Sequence, residues 1–280
     1  MPSKNANRHA PQHGTARFHI RRWRHRAKLA YRWWLWPHAC YQPFFIVATY
    51  RSGSNLLVDY LRKFRGVDCH GEVLLTTDTI GLYPSECSPA VARRHIRRSL
   101  QSLRQPIRGC KLMLDQFDQC GLSVEDLRNM YPGAKYLILY REAIAEQFVS
   151  HQLAHATGQW RSTKEQTPQE LKVPVDAQQL IAYCQRVRQS YASLFDHAWL
   201  RDCSAVMSYE QLVADPDEVF ARQICPLLGI EGGRPQTDLR KQNTLPLADR
   251  IANYDQVKEV IDSPVCRQRH HWPSASCKAA

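Results

Sequence analysis

The first 58 residues contain no Asp and no Glu; the first acidic side chain is Asp59. The 280-residue chain has a formal charge of +12, and that opening segment, with ten Lys or Arg, holds most of it. The rest has 28 basic against 26 acidic residues, a net +2, which argues against a body-wide basic surface for wrapping nucleic acid. Also missing is any uninterrupted apolar run near the roughly 18 residues of a membrane-spanning helix, and the basic N-terminus is not followed by the apolar core of a secretory signal. No CxxC pair occurs, so the ten cysteines lack paired zinc-ligand spacing. A chain this long does not need a disulfide scaffold, so singly scattered cysteines fit a reducing compartment, most of them as small core residues. These absences predict a soluble, cytoplasmic protein.

The excess charge sits in segments such as "RFHIRRWRHRAKLAYRWWLWP", residues 17 to 37, where Arg alternates with Trp, Tyr and Leu. Folded as a basic amphipathic helix, it would lie on an anionic bilayer surface or grip RNA by phosphate contacts and stacking. The plainer reading is a solvated arm whose aromatic end packs back on the domain. We therefore divide the chain into a basic, aromatic-rich tail over 1–40 and one α/β domain over 41–280. At 44% hydrophobic content the domain can bury a substantial core.

Within the domain, short apolar runs alternate with amphipathic stretches. "FFIVAT" (44–49), "RGCKLML" (108–114), "KYLILYR" (135–141) and "SAVMSY" (204–209) read as buried parallel strands. Leu57, Tyr60, Leu61 and Phe64 repeat at helical spacing. One helix is predicted to end at Gly158, another to open with Asp and Pro near 215 and close at Gly229, and a third to begin near Asp176. Strand alternating with helix predicts a central, mostly parallel sheet with helices on both faces, a P-loop-like nucleotide-binding fold. Residues 159 to 179, polar and with two prolines, interrupt this rhythm in the manner of a lid or substrate loop.

The stretch "FFIVATYRSGSNLLVDYLRKF", residues 44 to 64, runs from strand to helix through a turn of small and polar residues. Such a corner presents backbone N–H groups to an anion. Gly53 allows close backbone approach, Ser52, Ser54 and Asn55 offer donors, and Arg51 brings a permanent charge. A magnesium-ATP kinase is one reading, since Asp115 ends another apolar strand. Against it, the GxxxxGK[ST] loop is absent: Ser and Asn follow Gly53, with no lysine.

These residues resemble the sulfotransferases that use 3'-phosphoadenosine 5'-phosphosulfate (PAPS). Their 5'-phosphosulfate loop reads like "TYRSGSNLL", with Arg51 where some members have Lys. "YREAIAEQFVS" supplies an Arg and a Ser, Arg141 and Ser150, that the resemblance assigns to the donor's 3'-phosphate. "SYEQLVADPDEVFARQICPLLGI" matches a Tyr-Glu pair that opens a helix and would set Tyr209 near the adenine. In "RKQNTLPLADRIANYDQV", Arg240, Lys241 and Gln242 would return to the 3'-phosphate end. The four blocks span residues 44 to 257 and look most like bacterial carbohydrate sulfotransferases that act on lipo-oligosaccharide signals, whose blocks resemble "HGEVL", "GCKLMLDQF" and "TGQW" here.

The resemblance implies sulfuryl transfer from PAPS to a hydroxyl, on a carbohydrate or glycolipid, without a metal. Arg51 and the N–H groups of 52 to 55 would balance the leaving phosphate, with Lys111 as a second cation near the bridging oxygen. Glu72 is the preferred base for the acceptor hydroxyl and His70 the reserve; Trp160 and His155 are candidates for the acceptor site. Two other readings stay open beside it: the kinase, and a protein whose main activity is the tail's binding to nucleic acid or to the membrane surface. Of these tail contacts a peripheral one with anionic membrane is preferred over nucleic acid. Neither acceptor identity nor oligomeric state is written in the sequence.

Overall fold

In the computed structural model, which describes residues 40–74, 87–158, 171–239 and 245–267 together with Trp23 and Ala27, the apolar runs form one sheet. β1 (Gln42–Ala48) leads into α1 (Ser54–Lys63), and β2 (Val67–Glu72) precedes α2 (Pro89–Gln101). β3 (Ile107–Met113) is followed by α3 (Leu114–Cys120) and α4 (Val124–Met130). β4 (Lys135–Tyr140) is followed by α5 (Ile144–Thr157) and α6 (Ala177–Phe195), and β5 (Ser204–Ser208) by α7 (Tyr209–Ala214). A broken helix then runs as α8 (Pro216–Val219), a π-helical turn over Phe220–Ile224 and α9 (Cys225–Leu228), with α10 (Tyr254–Asp262) further on.

The strand order is β2-β3-β1-β4-β5, and each adjacent pair is parallel. Such a sheet has to be covered on both faces, and alternate residues of β1 show how this is done. Phe44, Ile46 and Ala48 pack with Leu57 and Leu61 of α1, Leu212, Phe220 and Ile224. Phe45 and Val47 belong to the opposite core, with Ile96 of α2, Phe148 of α5 and Tyr191 of α6. The mostly parallel sheet with helices on both faces is therefore as expected. Chain direction splits at β1, with β3 on one side and β4 on the other, and ligands of open parallel sheets bind beyond the strand ends at such a point.

Two expectations need correction. The stretch before Glu72, not among the four strands expected, forms β2, and Glu72 is its last residue. In that strand Val67, Cys69 and Gly71 are buried while Asp68, His70 and Glu72 are half-buried, so an edge strand shows no continuous apolar run. The cysteines do not all stand singly either: Cys87 and Cys120 are bonded, joining the start of α2 to the end of α3. Cys69, Cys110, Cys184 and Cys266 are the buried core residues expected. α5 ends at Gly158 (φ 69) and α9 at Gly229 (φ 66), both in the left-handed conformation that suits glycine. Apart from Trp23 and Ala27, residues 1–39 of the tail lie outside the described residues, as do 159–170 of the polar excursion.

Candidate active site

The turn after β1 has an unusual backbone: Arg51 (φ 61) is left-handed, the one non-glycine of this kind among the described residues, and Gly53 (φ 88) is left-handed as well. For an L-residue this costs roughly 1–2 kcal/mol, so neighbouring groups must hold it. Ser52 Oγ donates to Thr49 O at 2.9 Å, which turns its hydroxyl into the turn. Gln147 of α5 donates through Nε2 to Thr49 Oγ1 at 2.8 Å and also to Tyr50 O. Tyr191 of α6 donates its hydroxyl to Leu139 O at 2.7 Å and accepts from Thr49 N at 3.1 Å. All three side chains belong to fully buried residues.

The turn delivers the N-terminus of α1. Its N-cap, Gly53, supplies no capping side chain, and its first turn has no acidic residue, so the N–H groups and helix dipole favour an anion. Gly53 also lies against the Tyr209 ring, where a Cβ would sit 2.3 Å from Cδ2.

Beyond the end of β4, three predicted residues come together. Arg51 Nε donates to Ser150 Oγ at 3.0 Å, and Arg141 Nη1 donates to Arg51 O at 3.4 Å. The Arg141 guanidinium lies over the Tyr209 ring, 4.8 Å from its centroid. Two carboxylates balance this charge: Glu146 reaches Arg141 Nη2 at 2.6 Å, and Glu210 lies 3.9 Å from Arg141 Nε while accepting from Glu142 N and Ala143 N. Arg250, which the sequence reading did not single out, meets the same Glu146 oxygen at 3.5 Å. Burial lowers the Arg51 pKa to about 10, with Arg141 adding repulsion, so Arg51 stays cationic near neutral pH. Arg250 is lowered by burial too.

On the other side of the turn, a β-bulge between His70 and Glu72 sets Glu72 opposite Lys111 of β3. Lys111 Nζ lies 3.5 Å from Glu72 Oε2 and donates to Asn55 Oδ1 at 2.8 Å. Lys111 is 4% exposed on an interior strand, so it is no strand-edge lysine. Gln116 in the first turn of α3 donates to Glu72 Oε1 at 2.6 Å and to Tyr50 Oη at 2.8 Å. His70, the reserve base, is turned to Ser102 Oγ at 2.9 Å.

Asp115 accepts from the Tyr50 backbone, and burial raises its pKa. His155 pairs with His151, Nε2 to Nε2, at 3.3 Å. His151 lies near the Tyr50 ring and is pushed down to about 4, chiefly by burial, then by His155, Arg51 and Arg186. Arg240, Lys241, Gln242 and Trp160 lie outside the described residues. Gln116, Gln147, Glu146, Arg250 and Tyr191 were not anticipated. Nothing in residue type or spacing marks them, and their contacts with the turn, with Glu72 or around Arg141 become visible only in the folded chain.

A family profile described as "Sulfotransferase family" matches residues 78–232. The chain belongs to this sulfotransferase family. Its reaction is sulfuryl transfer, so the kinase alternative lapses. The matched segment contains Arg141, Ser150 and Tyr209, whereas Arg51 and Glu72 precede it. Nodulation protein H of Rhizobium meliloti strain 1021 is 26% identical over 233 residues, 78% of this chain and 90% of that protein. A second Nodulation protein H of Rhizobium meliloti is 25% identical over 232 residues, with the same coverage of each chain. Among solved structures, a sulfotransferase from Alicyclobacillus acidocaldarius is 16% identical with a TM-score of 0.46, over 82% of this chain and 98% of that one. The sulfotransferase STF1 from Mycobacterium tuberculosis H37Rv is 15% identical with a TM-score of 0.46, over 85% and 82%.

Proposed function

We propose that this sulfotransferase uses PAPS as donor and a hydroxyl on a carbohydrate or glycolipid as acceptor. The observation that carries the reading is the division of the site by one turn. On one side stand Arg51, Ser150 and Arg141 around Tyr209; on the other, the Glu72 carboxylate stands beside the Lys111 ammonium. The N-terminus of α1 packed against the Tyr209 ring and the Arg141 guanidinium lying over that ring suit an adenosine phosphorylated at both ends.

When bound, the donor would supply a sulfuryl group already attached to a phosphate leaving group. Glu72 would take the acceptor's proton as its oxygen bonds to sulfur and the sulfur–oxygen bond to the phosphate breaks. Arg51 and the N–H groups opening α1 would balance charge on the departing phosphate, with Lys111 next to the bridging oxygen. Arg141 and Ser150 would hold the 3'-phosphate, a role for which a guanidinium kept in place by Glu146 is well suited. Carbohydrate as the acceptor class rests on the sequence resemblance. In the same reading the basic tail adds a peripheral contact with anionic membrane, so deleting residues 1–36 should abolish salt-sensitive binding to anionic vesicles and leave nucleotide binding intact.

The test is ligand-induced thermal stabilisation. The product 3',5'-ADP should raise the melting temperature more than 5'-AMP does, and Arg141→Ala should erase that difference. Equal effects of the two nucleotides on the unaltered protein would refute the donor assignment.

A further inference from the structure

Gln116 has no part in the chemistry above, yet its residue is 0% exposed and lies directly behind the proposed base. Burying a primary amide is unfavourable unless its hydrogens find acceptors. Here both do: Nε2 donates to Glu72 Oε1 at 2.6 Å and to Tyr50 Oη at 2.8 Å. The amide orientation follows from chemistry, because an ionised carboxylate can only accept and the nitrogen must therefore face it. The placement is topological. α3 begins at the residue after β3, so the first turn of that helix projects Gln116 back over the strand ends that carry Glu72 and Lys111.

Glu72 is thus held from two directions, Oε1 by a neutral amide and Oε2 by an ammonium at 3.5 Å. The second distance is long for an ammonium–carboxylate contact. Lys111, for its part, donates to Asn55 of α1 at 2.8 Å. From the α3 side, the amide's hold on Oε1 opposes Glu72 closing on Lys111. A tight ion pair would leave the carboxylate a poor base and occupy the cation proposed for the leaving group. Groups around Glu72 include Tyr50 of the turn, Asp115 of α3, which acts on Tyr50 along with Glu72, and His70 on its own strand, held by Ser102.

We propose that Gln116 is a positioning residue that keeps the Glu72 carboxylate from closing further on Lys111 and aims it at the acceptor hydroxyl. This rests on the reading of Glu72 as the base. The test compares full-length Gln116→Met, Gln116→Glu, Glu72→Gln and the Glu72→Gln/Gln116→Met double variant, using radiolabelled PAPS and the best acceptor from a panel of glycans and glycolipids. Gln116→Met should lower kcat about 10- to 100-fold while the Kd for 3',5'-ADP stays unchanged, and should add nothing to the loss caused by Glu72→Gln. Gln116→Glu keeps the shape but places two carboxylates in contact, so the acid limb of the kcat profile should move up by about one pH unit or more.

An acceptor-free readout is the crystal structure of Gln116→Met, in which Glu72 should have closed on Lys111. If Gln116→Met keeps the kcat of the parent while Glu72→Gln loses it, or if the Glu72–Lys111 separation is unchanged in the variant, the positioning role is overturned. If Glu72→Gln itself retains full kcat, the base assignment fails, and the positioning role fails with it.

Discussion

Replacing Gly53 by alanine should impose two separable strains on the turn. At φ 88 an L side chain costs about 1–2 kcal/mol. The new Cβ would also lie 2.3 Å from Cδ2 and 2.9 Å from Cε2 of Tyr209, closer than carbon atoms pack, so ring or turn must shift at about 1–3 kcal/mol. Gly66 provides the control, since its φ is 82 but its nearest neighbour would be Pro106 Cγ at 3.8 Å. Gly66→Ala should therefore cost about 1–2 kcal/mol and Gly53→Ala about 2–5 kcal/mol, each kcal/mol lowering the melting temperature by about 2–4 °C in a domain of this size. Tyr209→Ala removes the ring, and in that background Gly53→Ala should cost no more than Gly66→Ala. Denaturant unfolding of the single and double variants closes a double-mutant cycle, with an expected coupling of about 1–3 kcal/mol. Equal costs for the two glycines with Tyr209 present, or a coupling near zero, would refute the claim that the Tyr209 ring and the turn are packed as one unit.

Other consequences are measurable in parallel. Tyr191→Phe keeps the ring but leaves Thr49 N and Leu139 O without their buried partner, and equilibrium unfolding should show a loss of about 1–3 kcal/mol. Arg141→Ala should weaken 3',5'-ADP about 10- to 100-fold by calorimetry and leave 5'-AMP nearly unchanged. Reducing the Cys87–Cys120 bond, with its sequence separation of 33, should destabilise by about 3–4 kcal/mol and expose two further thiols in the denatured protein. His151 stays neutral in the folded chain down to about pH 4, whereas the unfolded chain takes up that proton below about pH 6.5. Stability should therefore fall as pH drops through this window, and His151→Gln should flatten that slope in unfolding curves taken at stepped pH.

The sheet was legible because β1, β3 and β4 are interior strands buried on both sides, and β5, although at an edge, still offers Ala205, Val206 and Met207 in a row. β2 was not, because its one-sided burial at the sheet edge leaves only Val67 and Cys69 as apolar markers, and the register shift that brings Glu72 to Lys111 has no local signature. The turn could be read from Arg51 and Gly53, whose types suit an anion site. What holds it could not: Gln147 and Tyr191 lie about a hundred residues or more away, and the hydrogen bonds that tie them to Thr49 and Tyr50 follow no sequence spacing. Arg141 and Ser150 were legible through family spacing. Their contact with Arg51, and the Glu146 carboxylate shared with Arg250, appear only when β4, α5 and the segment before α10 converge. A cysteine pair 33 residues apart likewise carries no pattern, and the Cys87–Cys120 bond depends on how α2 and α3 end up against each other.

The central claim is sulfuryl transfer from PAPS to a sugar hydroxyl. The most direct measurement incubates the protein with radiolabelled PAPS and a panel of glycans, glycolipids and small alcohols, and follows the label. The account predicts label on at least one carbohydrate or glycolipid, formation of 3',5'-ADP in equal amount, and loss of both with Glu72→Gln. Label confined to small alcohols, or transfer undiminished in the Glu72 variant, would contradict it.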